Sequence, residues 1–150
     1  MIARFVIQEE KMKNYKKLNG IVTSAGFVVA ACLASSHAVA GTYSSAVQLP
    51  TIHSKNTVYT AHVPVPAGTN YGHIIKNVSW NWNVHGWPRG LQVYLCQTVD
   101  RCIDVSRQRV GATTEYNRFH AAQPFWFELK LSEPGRVPVA GLQGRLTVDW

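Results

Sequence analysis

Histidine is the residue type in this chain with the clearest capacity for metal chemistry. Imidazole is a common ligand for zinc and copper, and sites for these metals usually contain a close pair of histidines on one strand face or one helix turn. Five histidines follow residue 40, but the two nearest in sequence, His53 and His62, are nine residues apart. We therefore predict no metal site and interpret these histidines as scattered surface residues.

No pattern of nucleophile, base or carboxylates in the sequence indicates an enzyme. A Gly-x-Ser-x-Gly nucleophile motif and a Gly-rich phosphate loop are both missing. A glycosidase needs two carboxylates at a fixed separation, whereas the six acidic residues after position 40 fall mostly in predicted turns or on solvated strand faces. We predict a protein with no catalytic residues and no cofactor.

Cys96 and Cys102 suggest either a structural disulfide or a redox pair. The segment from Leu91 to Cys96 alternates apolar and polar residues, as a half-buried strand does, and we predict a return strand at residues 102–105 after a turn at 97–101. A redox pair usually has Cys-x-x-Cys spacing at the start of a helix. We predict a disulfide that staples this hairpin in an oxidising compartment and contributes roughly 2–2.5 kcal/mol of stability through loop entropy.

Three tryptophans, Trp80, Trp82 and Trp87, fall within eight residues and allow two interpretations. Trp80 and Trp82 share a strand face with Val78 and Val84, which indicates that they belong to the core. An exposed row of the three rings would instead stack on sugars. The core interpretation is favoured, and a carbohydrate-binding module that acts on peptidoglycan is the alternative function.

Trp87, Arg89 and Trp126 are the candidates for a partner-binding surface. Trp87 lies in a Gly/Pro-rich turn beside Arg89, and tryptophan and arginine are enriched at the hot spots of protein contacts. Trp126 is opposite in phase to Phe127 and Leu129, so it either faces outward or packs between sheets.

Residues 1–40 have the layout of a secretory signal peptide. A cationic start is followed by about 14 mostly apolar residues and then by small residues at a cleavage site. The small residues are Ala38 and Ala40, which predicts Gly41 as the first residue of the mature, exported protein.

Two alternatives concern this N-terminal segment. Translation starting at Met12 also fits the layout, and Cys32 resembles the acylated cysteine of a lipoprotein. The apolar run is short for a membrane span, which needs about 20 residues. We expect cleavage after Ala40, and no membrane span after cleavage.

The basic charge of the chain does not indicate a nucleic-acid partner. There are 15 Lys and Arg against 8 Asp and Glu, a formal charge of +7. After residue 40, ten basic and six acidic side chains leave a charge of +4, and the basic residues are spread singly from Lys55 to Arg145. Nucleic-acid-binding proteins usually concentrate basic residues on one face. The 110 residues after position 40 allow one domain and no second.

The chain after Gly41 predicts an all-β fold. Short alternating runs recur between Pro and Gly residues, and no amphipathic helical stripe interrupts them. About seven short strands spaced by turns are typical of an antiparallel β-sandwich or small barrel. The predicted strands cover residues 42–49, 55–63, 74–84, 91–96, 102–105, 125–131 and 146–150, with a polar loop at 107–117.

Several motifs resemble those of the flagellar FlhE family of exported proteins. The most specific is Pro-Arg-Gly-Leu-x-Val-x-Leu-Cys at 88–96, followed by Arg101-Cys102. Gly-x-Tyr-x-Ser at 41–45 lies where the mature chain of the family begins, and Tyr43 stands where the family tends to carry tryptophan. The further matches are Trp-x-Trp at 80–82, Gly-x-Thr-Thr at 111–114, Ala-x-Pro-x-x-Phe at 122–127, and Gly-Arg-Val at 135–137 leading to Leu142.

The resemblance implies a small, non-enzymatic periplasmic accessory of flagellar assembly, with protein partners in the flagellar rod, the filament or the export apparatus. Roles proposed for the family are to prevent proton leakage through the secretion gate and to prevent filament growth inside the periplasm. A free strand edge would let a partner add a strand by β-augmentation. We expect that edge at residues 145–150, because Pro64 and Pro66 obstruct pairing at another edge.

Overall fold

A computed structural model describes residues 40–150, which form eight β-strands and no helix. Within this range there is accordingly no helix long and apolar enough to cross a membrane. The strands are β1 (Thr42–Gln48), β2 (Val58–Val63), β3 (Asn77–Val84), β4 (Leu91–Thr98), β5 (Arg101–Asp104), β6 (Val110–Thr113), β7 (Phe125–Leu131) and β8 (Gly141–Asp149).

The strands form two four-stranded sheets, which confirms the predicted antiparallel sandwich. The first sheet has the order β1–β8–β3–β6 and the second the order β2–β7–β4–β5. All neighbouring strands are antiparallel. The sheets pack so closely that a β-carbon added to Gly144 on β8 would lie 3.1 Å from the ring of Phe127 on β7.

Alternate side chains of the strands fill the space between the sheets. Phe125, Phe127 and Leu129 on β7 are fully buried, and Trp126 and Glu128 between them are half-buried on the outer face. Trp80 and Trp82 on β3 are 5% and 1% exposed. They therefore belong to the core, and the exposed row of three tryptophan rings that a carbohydrate-binding module would use does not form.

The region predicted as a polar loop, residues 107–117, contains the edge strand β6. This strand pairs with β3 over four residues, with Gly111 opposite Trp80. The prediction of a continuous loop was wrong because the Val-Gly-Ala-Thr sequence of β6 has no alternating apolar pattern. Its one large apolar side chain, Val110, is exposed, so the usual sign of a half-buried strand is missing.

The C-terminal strand is not a free edge. β8 begins at Gly141, before the predicted start at 146, and it pairs with β1 on one side and β3 on the other. The expectation of β-augmentation at residues 145–150 was therefore wrong, because the neighbours of this strand come from distant parts of the chain. β2, which is followed by Pro64, is an edge strand as expected.

Most of the predicted signal segment, including Ala38 and the alternative lipid-attachment residue Cys32, lies outside the described residues. The fold ties the predicted first mature residue, Gly41, to the last residue of the chain. The backbone N–H of Gly41 donates to the carbonyl of Trp150 at 2.9 Å, and the N–H of Trp150 donates back at 2.9 Å.

Candidate partner-binding surface

Four loops meet at the end of the sandwich that carries Trp87, which we call the tryptophan end. The strands that lead into these loops have their ends side by side, since Val84 pairs with Gly141 and Leu91 pairs with Leu131. The loops comprise residues 49–57, 85–90, 105–109 and 132–140.

Two glycines shape the turn that presents Trp87. Gly86 and Gly90 have φ angles of 69° and 74°, a region that residues with a β-carbon rarely adopt. A β-carbon on Gly90 would also lie 2.6 Å from the carbonyl oxygen of Ser132. Ser132 donates its N–H at 2.9 Å and its hydroxyl at 3.0 Å to the carbonyl of Gly90. The turn is therefore fixed against the loop that follows β7.

The Trp87 side chain is 73% exposed, yet an arginine from another loop holds its ring. The guanidinium carbon of Arg109 lies 3.7 Å from the centre of the Trp87 ring and 5.2 Å from that of Trp82. Arg109 Nη1 donates to Oδ1 of Asn83 at 2.5 Å, and Nη2 donates to the carbonyl of Gly86. These hydrogen bonds and cation–π contacts give an exposed aromatic ring a defined position.

The two core tryptophans position the loop that carries Arg109. The indole N–H of Trp80 donates to the carbonyl of Gln108 at 2.8 Å, and that of Trp82 donates to the carbonyl of Val105 at 3.1 Å. The backbone N–H of Trp82 donates to the carbonyl of Arg109 at 2.8 Å. Buried aromatic residues therefore set the geometry of a loop at the surface.

Burial lowers the pKa of the Arg109 guanidinium from its ordinary value, but arginine remains charged in proteins. Asp104, at the end of β5, is also ionised. The hydroxyl of Ser106 donates to Oδ1 of Asp104 at 2.5 Å, and the backbone N–H of Ser106 donates to the same oxygen at 2.9 Å. These hydrogen bonds, with a smaller contribution from the charge of Arg107, lower the pKa of Asp104.

Two grooves flank the turn at residues 85–90. The larger has a volume of about 490 Å³ and runs beside Trp87, with Asp104 and Arg107 in its wall. The smaller has a volume of about 230 Å³ and lies between Arg89 and Arg136. The exposed tryptophan thus lines the groove that contains Arg107, and the groove with Arg89 and Arg136 adjoins the same turn at Pro88.

The structure brings together two of the three predicted contact residues. Trp87 and Arg89 both lie at the tryptophan end, although it is Arg109 and not Arg89 that stacks on Trp87. Trp126 lies at the opposite end of β7, where it pairs in register with Cys96 and its indole donates to Glu128 at 2.9 Å. Trp126 is therefore not part of the same surface.

The predicted disulfide is confirmed, and it lies away from Trp87. Cys96 and Cys102 are directly opposite each other on β4 and β5, with their α-carbons 4.1 Å apart. Within residues 40–150, the one cluster of three potential metal ligands contains these cysteines and Glu128. Because the two sulfurs are bonded to each other, they offer no thiolate to a metal.

Arg109 was not among the residues predicted from the sequence. It lies in a polar segment with two other arginines nearby, at 107 and 101, and nothing local distinguishes it from them. Its role depends on the pairing of β6 with β3, which carries the segment before β6 to Trp82 and Trp87.

Comparison with known proteins identifies one family and one solved structure. The model of the family "Flagellar protein FlhE" matches residues 50–150. The crystal structure of FLHE has the same fold, with a TM-score of 0.61 at 19% sequence identity, over 74% of this chain and 96% of that chain. A comparison with curated proteins returns no significant match.

Proposed function

Because this chain belongs to the FlhE family of flagellar proteins, we propose that it is a non-enzymatic accessory of flagellar assembly that acts by binding a protein partner. The partner is a component of the flagellar rod, the filament or the export apparatus. Binding prevents proton leakage through the export system or premature filament growth in the periplasm.

The observation that carries the proposal is the exposed and fixed ring of Trp87. Trp87 is the most exposed tryptophan among the described residues, at 73%, and tryptophan is one of the residue types most enriched at interface hot spots. Arg109 holds the ring, so little side-chain freedom is lost when a partner packs on it. Rigid aromatic residues beside arginine are typical of the hot spots of protein interfaces.

Export to the periplasm is part of the proposal. The N-terminal segment has a signal-peptide pattern that ends at Ala40. A disulfide between Cys96 and Cys102 is stable in an oxidising compartment and rare in the cytosol. Both features support a periplasmic location.

The experiment uses the native, disulfide-intact protein, isolated from periplasm, as bait in pull-downs with purified rod, hook and filament subunits. The Trp87→Ala/Arg89→Ala variant should lose capture of the subunit. Its free energy of unfolding should change by no more than about 1 kcal/mol, because both side chains are exposed and an exposed cation–π contact such as that between Trp87 and Arg109 contributes about 0.5–1 kcal/mol. The matched control is Tyr71→Ala/Arg118→Ala, two exposed residues at the other end, which should retain capture.

Cells without the gene test the physiological role. We expect trapped periplasmic filaments, or a fall in cytoplasmic pH that depends on the export apparatus. Failure of the protein to capture any flagellar component, together with normal motility and proton retention in the deletion strain, would contradict the proposal. Equal loss of capture in both double variants would contradict the assignment to the tryptophan end.

A further inference from the structure

The fold gathers at one end charges that are spread along the sequence. The tryptophan end carries five basic side chains and two carboxylates. The basic residues are Lys55, Arg89, Arg107, Arg109 and Arg136, and the acidic residues are Asp104 and Glu133. This end therefore carries a formal charge of +3 out of the +4 of residues 41–150.

The opposite end has no net charge. Its three basic and three acidic side chains balance; they are Lys76, Arg101 and Arg118 against Asp100, Glu115 and Asp149. The remaining charges, Glu128, Lys130 and Arg145, lie within the strands. The charge asymmetry therefore follows the long axis of the strands.

Neither carboxylate of the tryptophan end forms an ion pair with an arginine, although the charge of Arg107 acts on Asp104 from a longer distance. Glu133 forms an ion pair with Lys55, with Nζ and Oε2 2.8 Å apart, and this is the one ion pair within 4 Å among residues 40–150. Asp104 is engaged by two hydrogen bonds from Ser106. Arg89, Arg107 and Arg136 are exposed and have no ion-pair partner within the described part of the chain.

We propose that the tryptophan end binds a carboxylate-rich segment of its protein partner, with Trp87 packing on the segment and Arg89, Arg107 and Arg136 binding its carboxylates. This inference rests on the proposed function, because it specifies the chemistry of the partner. A guanidinium binds a carboxylate through two parallel hydrogen bonds. A positively charged end also attracts an acidic partner before contact.

The geometry fits a protein segment better than an anionic glycan. Glycan-binding sheets present several rings in a row, whereas here Trp80 and Trp82 are buried and Arg109 stacks on Trp87. Arg107 lines the groove beside Trp87, and Arg89 and Arg136 line the second groove next to the same turn. We expect an extended segment, whose successive side chains leave the backbone on alternate sides, to reach both grooves.

The test uses fluorescence anisotropy of two labelled peptides with the native exported protein. One peptide alternates Glu and Ser, and the other has Gln in place of each Glu. We expect the Glu peptide to bind at least about tenfold more tightly at low salt and to lose most of that advantage at high salt, because exposed charges are screened.

Charge variants locate the site. The Arg89→Gln/Arg136→Gln variant should weaken binding of the Glu peptide by about tenfold, while the control Lys76→Gln/Arg118→Gln should not change it. Equal affinity for the two peptides, or equal loss in the two variants, would overturn the inference. Tighter binding of polygalacturonate than of the Glu peptide would overturn it in favour of an anionic glycan.

The result that would contradict the proposed function differs from the result that would contradict the preference for an acidic segment. If the protein captures a flagellar subunit in a Trp87-dependent manner that salt does not weaken, the proposed function holds and the preference for an acidic segment is wrong. If it binds the Glu peptide but no flagellar component, the proposed function is wrong.

Discussion

The guanidinium carbon of Arg109 lies 3.7 Å from the centre of the Trp87 ring, so a side chain from the loop before β6 holds the most exposed tryptophan of the described chain. Arg109 also contacts Asn83, Gly86 and the ring of Trp82. The buried tryptophan, the arginine and the exposed tryptophan thus form a continuous stack from the core to the surface. We propose that this stack supports the binding surface.

Replacing Arg109 with lysine should destabilise the protein although the charge is kept. A lysine ammonium cannot reproduce the planar stack or the two-sided hydrogen bonding to Asn83 and Gly86. We expect the free energy of unfolding in urea to fall by about 1–3 kcal/mol, with a change in the near-ultraviolet circular dichroism of tryptophan. Arg107→Lys, at an exposed position in the same loop, should change stability by less than about 0.5 kcal/mol. Equal effects of the two substitutions would contradict the structural role of Arg109.

Gly90 and Gly68 form a matched pair for testing the turn that presents Trp87. Both have a positive φ, 74° and 92°, so alanine is strained at either position. At Gly90 the new methyl group would also meet the Ser132 carbonyl at 2.6 Å, whereas at Gly68 nothing lies within 4 Å. We expect Gly90→Ala to destabilise the protein by at least about 1 kcal/mol more than Gly68→Ala and to weaken partner capture. Equal thermal denaturation of the two variants would show that the contact with Ser132 is unimportant.

Removal of the disulfide should affect stability and not recognition. Cys96 lies five residues along β4 from Leu91, a distance of about 17 Å in an extended strand. The Cys96→Ala/Cys102→Ala variant should lose roughly 2–2.5 kcal/mol of unfolding free energy. It should still bind the partner with unchanged affinity at temperatures where it is folded. A folded variant that fails to bind would mean that the hairpin belongs to the binding surface.

Stability should fall with rising pH above about pH 10, partly because of Tyr43. Burial of its phenol raises the pKa to about 12, while in the unfolded chain the pKa is about 10. Below pH 10 the phenol is protonated in both states. Between these values only the unfolded chain releases the proton, so unfolding becomes more favourable as pH rises.

Tyr43→Phe tests this pH dependence. The variant should lose less unfolding free energy than the wild type between about pH 9 and about pH 11, measured by guanidinium denaturation. It should keep part of the loss, because burial also raises the pKa of Tyr116. Parallel stability curves for variant and wild type across this range would contradict the role of Tyr43.

Local sequence patterns predicted much of the fold. The strand at 125–131 has the bounds that alternation predicted, and the placement of Trp80 and Trp82 in the core followed from their phase with Val78 and Val84. The disulfide followed from two strands separated by a short turn. In each case the determining pattern lies within a few neighbouring residues, so no knowledge of distant contacts was needed.

Features that depend on pairing between distant segments were not predictable in this way. The central position of β8 depends on its contacts with β1 and β3, and β6 is identified by its pairing and not by its composition. The same holds for the candidate site. Trp87 and Arg89 stand out as neighbours in one turn, whereas Arg109 gains its role through a sheet contact between segments far apart in sequence.

Site-specific photo-crosslinking in the periplasm of flagellated cells tests the central claim most directly. A photoreactive phenylalanine derivative replaces Trp87 in one strain and the exposed Tyr71, at the opposite end of the sandwich, in another. We expect a covalent adduct from position 87, identified by mass spectrometry as a flagellar rod, hook, filament or export component, and none from position 71. Adducts to a flagellar component from position 71 and none from position 87 would contradict this claim.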